Sequence, residues 1–211
     1  MRYVILDSET TGISTKQGHR IIELAMLEMI DRELTSKKYH CYFNPDKHIE
    51  ESATAVHGIT DTQMSTMPHF VDEIANIIAF IKDSTIIAHN AKFDIEFLDM
   101  ELQKSNHHSS SSYVSGVIDT LDIARTKYPK QKNSLDALCD RLDIDRTNRG
   151  FHGALIDCEL LYQVYLKLVD IPQIPEQIVF DKFDNIDLPI IYADEKDNKL
   201  HNKYMESINV S

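Results

Sequence analysis

Cysteine is scarce in this chain of 211 residues: Cys41, Cys139 and Cys158 are odd in number and widely spaced. They form neither a CxxC pair nor a zinc-ligand pattern, so a disulfide framework is not expected and a reducing cytoplasm is the simplest setting. Long apolar runs are also missing. No stretch approaches the ~20 residues that a membrane-spanning helix needs. The run after Met1 is four residues long and ends in Asp7, too short for the apolar core of a secretory leader. An excess of positive charge is absent too. The formal net charge is −12, which argues against a protein that coats duplex DNA by neutralising phosphates. It leaves room for an enzyme that meets nucleic acid through metal ions in one cleft.

What remains is the composition of an ordinary globular protein, 42% hydrophobic and 27% charged, with length for one domain and a tail. Charge is uneven. Between Arg125 and Arg149 stand Arg125, Lys127, Lys130, Lys132, Arg141, Arg146 and Arg149 against Asp136, Asp140, Asp143 and Asp145.

Tyr3-Val4-Ile5-Leu6 runs unbroken into Asp7-Ser8-Glu9. A continuous apolar run reads as a strand buried on both faces. Residues i and i+2 of a strand point to the same side, so Asp7 and Glu9 project together from its end. Two adjacent anions repel unless a cation sits between them, and a hard divalent metal with oxygen ligands is the usual solution.

Ile21 to Ile30 reads as a second strand, with a short helix as the alternative. Tyr39 to Phe43 reads as a third, giving an antiparallel meander. Phe70, Ile74, Ile77, Ile78 and Ile81 have helical spacing. Thr85 to Ala88 is a short buried strand, Asp94 to Leu102 a helix, and Val117-Ile118 a fifth strand. Leu121 to Tyr128, Ser134 to Leu142 and Gly153 to Val169 read as helices, with Ser134 as an N-cap. Asn106 to Ser115 is polar and Ser-rich, a mobile loop. This order gives an α/β fold, a mixed sheet with helices on its faces. From Asp170 onward, Pro172, Pro175 and a polar, acidic composition mark a linker and an appended segment.

Two further segments complete the chemistry begun at Asp7. In Ile86-Ile87-Ala88-His89-Asn90-Ala91-Lys92-Phe93-Asp94 a buried strand ends and Asp94 opens a helix, the kind of junction where α/β sheets collect their sites. In Phe151-His152-Gly153-Ala154-Leu155-Ile156-Asp157, His152 and Asp157 would lie ~140° apart if both were mid-helix. They share a site only if His152 precedes the helix and folds back, which Gly150 and Gly153 permit. Four carboxylates and one histidine suit two Mg²⁺ or Mn²⁺ ions, with the histidine taking a proton from an attacking water.

DSETTG, HNAKFD and HGALIDC, in this order and spacing, resemble the three motifs of the DEDDh (DnaQ-like) 3′→5′ exonuclease superfamily. Within it the chain is most similar to proofreading epsilon subunits of bacterial DNA polymerase III, over about residues 2 to 169. The resemblance implies a ribonuclease H-like fold, a mixed sheet flanked by helices. It implies an exonuclease domain over 1–169 and a linker with a polymerase-docking segment over 170–211. Asp7, Glu9, Asp94 and Asp157 would be the metal ligands, His152 the general base, and Thr10, Thr11, His57 and Asn90 neighbours of the terminal nucleotide. The implied substrates are DNA 3′ ends. The implied partners are the polymerase III alpha subunit, the sliding clamp through Gln177-Ile178-Val179-Phe180, and a theta-like small subunit. A free-standing exonuclease that trims RNA or single-stranded DNA, and a non-catalytic polymerase accessory, are the alternatives.

Overall fold

The computed structural model of the chain describes residues 1–147 and 151–169. The expected boundary at 169/170 and the segment beyond it lie outside the described residues.

A five-stranded mixed sheet organises the domain. Its strands are β1 (Arg2–Thr10), β2 (Ile21–Ile30), β3 (Glu33–Tyr42), β4 (Thr85–Ala88) and β5 (Gly116–Asp119), in the spatial order β3-β2-β1-β4-β5. β1, β2 and β3 pair antiparallel, while β4 joins β1, and β5 joins β4, in parallel. The run at Val4-Ile5-Leu6 is therefore the middle of the sheet, as its unbroken apolar character requires. The β2–β3 hairpin turns on Asp31 and Arg32, both at positive φ, the backbone of a tight two-residue turn that matches strand twist. β3 begins six residues earlier than its aromatic end suggested. Glu33 to Lys38 is a polar, mostly exposed edge, charged as edges that resist further pairing are.

Helices cover both faces. Val4, Leu6, Leu24, Met26 and Ile86 pack against α3 (Phe70–Ile81) and α4 (Ala91–Lys104), through Phe70, Ile77, Phe97 and Leu102. Ile5, Ala25, Leu27 and Ile87 point the other way, onto Ala154, Cys158, Leu161 and Tyr165 of α7 (Ala154–Leu168). Each such fully buried aliphatic side chain contributes ~1.5–3 kcal/mol by leaving water. Two helices not expected from periodicity, α1 (Glu51–His57) and α2 (Asp61–Met64), cap the start of β2 around Ile22, Ile49 and Met64. α5 (Thr120–Lys127) and α6 (Leu135–Arg141) pack on α7 through Ala124, Leu138 and Leu160. A short 3-10 turn, Ser110–Ser112, orders the Ser-rich segment, with Ser110 buried and its amide held by Asp99.

The cysteines are free thiols, and among the described residues no helix is long and apolar enough to cross a membrane. One buried ion pair ties the layers together. Arg20, just before β2, donates through Nε and Nη2 to both oxygens of Glu101 on α4, each at 2.6 Å. Glu101 is 1% exposed and also accepts the Ile21 amide.

Candidate active site

Strand alternation decides which helix meets which residue. Asp7 and Glu9 share the face of Ile5 and turn toward α7; Ser8 shares the face of Leu6 and turns toward α4. Ser8 Oγ donates to Asp94 Oδ1 at 2.6 Å. The hydroxyl thus holds Asp94 against the end of β1 from one layer, while α7 brings Asp157 from the other.

Asp94 lies in the first turn of α4, three residues after its start at Ala91. That start is set by Asn90, in the left-handed region at φ 65°, and by Asp119. The Asp119 carboxylate accepts the amides of Asn90 and Ala91, each at 3.0 Å, and of Leu121 at 2.9 Å. One side chain at the end of β5 therefore fixes where two helices begin. The sequence reading assigns no role to Ser8 or Asp119; an aspartate that closes a short strand directly before a helix is the available signal.

His152 precedes α7, whose N-cap is Gly153, so it is not held to the helical angle that would carry it away from Asp157. Its Nδ1 stands 3.3 Å from Asp157 Oδ2. Its amide donates to the Val56 carbonyl at 3.2 Å, tying this segment to α1. Glu9, His152 and Asp157 each bring a ligand atom into one group, all within 4.8 Å of one another.

The electrostatics are those of crowded anions. Asp7 keeps a little exposed surface, yet desolvation pushes its carboxyl well above the ordinary range, and Asp94, Asp157, Glu9 and Glu23 push it further. Burial raises the Asp94 carboxyl to about 7, against the lowering pull of the Ser8 hydroxyl. Cys158 lies beneath the cluster, and burial first, then these carboxylates, raise its thiol, which makes it an inert core residue. Mutual repulsion of this kind is what divalent cations with oxygen ligands relieve, so the donor set fits a hard-metal centre. Asp7, Glu9, Asp94 and Asp157 are its candidate ligands, and His152 brings a nitrogen into one group with Glu9 and Asp157.

The remaining expected site residues are distributed differently. Thr10 donates to the Gly12 carbonyl at 2.8 Å. Thr11 is fully buried, its hydroxyl 3.0 Å from His19 Nδ1 and accepting the Arg20 amide. His19 in turn meets Glu50 at 3.1 Å. A Cβ on Gly12 would stand 2.5 Å from the His19 ring, so only glycine fits there. His57 ends α1, accepts the Ile59 amide on Nδ1, and is buried among neighbours that include Thr10 and His152. Burial lowers its pKa, keeping it neutral. Asn90 is exposed and lines a neighbouring cavity with Arg125.

A family model described as exonuclease matches residues 4–165. The chain belongs to this exonuclease family. Over 171 residues it is 43% identical to the DNA polymerase III subunit epsilon of Pasteurella multocida (strain Pm70), covering 79% of this chain and 68% of that protein. The epsilon subunit of Buchnera aphidicola subsp. Schizaphis graminum is 38% identical over an alignment that covers 97% of this chain and 96% of that one. Among solved structures, Exonuclease X in complex with 5′ overhanging duplex DNA has a TM-score of 0.58 at 26% identity, over 79% of this chain and 90% of the other. An E. coli ExoI–ssDNA complex superposes with a TM-score of 0.72 at 19% identity, over 82% and 41%, a likeness of fold alone. The family makes the chain a nuclease, and its mixed sheet flanked by helices is the fold of the exonucleases it superposes on.

Proposed function

We propose that this exonuclease proofreads for a replicative DNA polymerase, removing mispaired 3′-terminal nucleotides from DNA as 5′-monophosphates. The convergence of Asp7, Glu9, Asp94 and Asp157 with His152 at the end of β1 carries this reading. The four carboxylates would hold two divalent cations, Mg²⁺ or Mn²⁺. When bound, such a pair activates a water and neutralises charge on the phosphate. His152 accepts the proton of the attacking water. The phosphorus bond to O3′ of the preceding nucleotide breaks, and that oxygen stays with the shortened strand. Thr10 and Thr11 shape the bend beneath the terminal nucleotide, since their hydroxyls are engaged within the chain. His57 and Asn90 stand at its edges. Selection of mispaired ends follows from their lower cost of unpairing.

The alignment with the Buchnera epsilon subunit spans 97% of this chain, which supports reading residues 170–211 as a linker and docking segment for the polymerase alpha subunit. Gln177-Ile178-Val179-Phe180 is a candidate peptide for the sliding clamp, aided by tethering, and a theta-like subunit is a further candidate partner. A replicative role places the chain in the cytoplasm.

The test uses a 3′-labelled primer, paired or mispaired at its end. The purified chain with Mg²⁺ or Mn²⁺ should release labelled 5′-monophosphate, faster from the mispaired end, and a chelator should stop it. His152→Ala should lose most turnover yet still bind Mn²⁺ in a calorimetric titration. Loss of Mn²⁺ binding in that variant would make His152 a ligand instead, and near-normal turnover would remove it from the chemistry.

A further inference from the structure

Three side chains in a row pin the bend that follows β1. Thr11 is fully buried, and its hydroxyl accepts the Arg20 amide at 3.1 Å. The hydroxyl's own proton then goes to the nitrogen beside it, His19 Nδ1 at 3.0 Å. With Nδ1 accepting, the ring proton sits on Nε2, which stands 3.1 Å from Glu50 Oε1. Hydroxyl, imidazole and carboxylate form one relay, Thr11–His19–Glu50. The main chain repeats the link, since the Glu50 amide donates to the Thr11 carbonyl at 3.0 Å. The His19 ring also occupies the space that a Cβ on Gly12 would need.

Glu50 is the N-cap of α1, and its carbonyl accepts the Ala53 and Thr54 amides, each at 2.9 Å. With seven residues α1 is too short to be stable by itself. Helices of this kind depend on tertiary contacts, and this one buries little. His57 is its buried residue, while Ala55 and Val56 are exposed. Ala53 is its contribution to the apolar cluster around Ile22, Ile49 and Met64. The position of α1 is therefore set largely at its ends. The relay holds the first end. At the other, His57 lies against the Thr10 backbone. There the Val56 carbonyl, ~9 Å along the axis from Glu50, accepts the His152 amide at 3.2 Å.

We infer that the Thr11–His19–Glu50 relay positions the general base. It fixes α1 to the bend that begins just after Glu9, and the far end of α1 holds His152. A carboxylate of the cluster and the histidine that meets it are thus both located from one bend. His19 and Glu50 are positioning residues, acting on His152 through α1. Asp7, Glu9, Asp94 and Asp157 stand on β1, α4 and α7, so a loosened α1 leaves the carboxylates in place. This rests on the exonuclease reading above, which gives His152 a proton to accept.

Glu50→Ala is the clean variant, because that side chain is 45% exposed and the backbone link to Thr11 survives. On the p-nitrophenyl ester of thymidine 5′-monophosphate, with Mn²⁺, it should lower kcat about tenfold and leave KM within about twofold. Glu50→Gln keeps an oxygen for the Nε2 proton and should restore most of kcat. His19→Phe keeps a ring over Gly12 but makes neither bond. It should lose at least as much, and adding Glu50→Ala to it should cost nothing more; additive losses would dissolve the relay into separate contacts and overturn it. Should His19→Phe not fold, the Glu50 variants decide alone.

The sharper comparison starts from His152→Ala. There Glu50→Ala should have no further effect on kcat. A tenfold loss that persists, or weaker Mn²⁺ binding by calorimetry, would mean that the relay supports the metal site or the fold at large, and the assignment would fall. Amide hydrogen exchange in chelator reads the pin without turnover. In Glu50→Ala the His152 amide should exchange about tenfold faster while the amides of β1 keep their protection. Unchanged exchange at His152 would refute the pin. A wild-type chain inactive on the ester would instead refute the exonuclease reading, with the exchange measurement still deciding the pin.

Discussion

His152 Nδ1 stands 3.3 Å from Asp157 Oδ2 because the segment before α7 is anchored to α1 rather than wound into the helix. The anchors are the Val56 carbonyl, which accepts the His152 amide, and Gly58, whose Cα faces the Phe151 ring. A histidine placed this way depends on contacts far off in sequence.

Gly58 is the sharpest probe of that anchor. Its φ is +72°, and an added Cβ would lie 3.1 Å from the Phe151 ring. Gly58→Ala should cost ~1–2 kcal/mol from backbone strain. By displacing Phe151 and His152 it should also lower kcat more than it alters KM. Thermal melting and steady-state kinetics check the two parts; wild-type turnover would show that the anchor does not set His152.

Replacing one crowded carboxylate should separate activity from stability. Asp7→Asn removes a charge that Asp94, Asp157, Glu9 and Glu23 all oppose. Turnover should fall by several orders of magnitude while the metal-free Tm rises. A lower Tm in chelator would mean that Asp7 is stabilised by partners in the cluster rather than strained by it.

Metal and pH should be linked with a definite sign. The Asp94 carboxyl titrates at about 7 in the fold against ~3.9 in an unfolded chain. A raised acid pKa means that the folded state holds the proton more tightly. Its stabilising effect is complete below the unfolded value and is lost as pH rises to about 7. Asp7 is shifted the same way. In chelator, stability should therefore fall between pH 4 and about 7, and saturating Mg²⁺ or Mn²⁺ should offset the fall at the upper end. Denaturant midpoints at several pH values, with and without metal, measure this; a chelator-only curve that rises through that window would contradict it.

Glu101 tests how the layers are held. Glu101→Gln leaves Arg20 without its charged partner and weakens two 2.6 Å bonds. The expected loss is roughly 2–3 kcal/mol, kept modest because Arg20 reaches some solvent. Arg20→Met with Glu101→Met should recover much of it. A double variant no better than the single one would show that packing, not charge, dominates there.

By itself the sequence determined the central strand, the helix stripes and the shared face of Asp7 and Glu9, because hydrophobic periodicity and alternation are local properties of the chain. Phe70 to Ile81 and Thr85 to Ala88 match their elements for that reason. Local pattern failed where burial gave no signal. β3 starts in the polar edge Glu33 to Lys38, and α1 and α2 are too short to show a period. Tertiary structure alone decided that Ser8 holds Asp94, that Asp119 sets the start of α4, and that His19 fills the space over Gly12. It also decided that His152 turns back toward Asp157 from its anchor on Val56. These are contacts between residues remote in sequence, fixed by which layers the fold brings together, and no local preference of either partner encodes them.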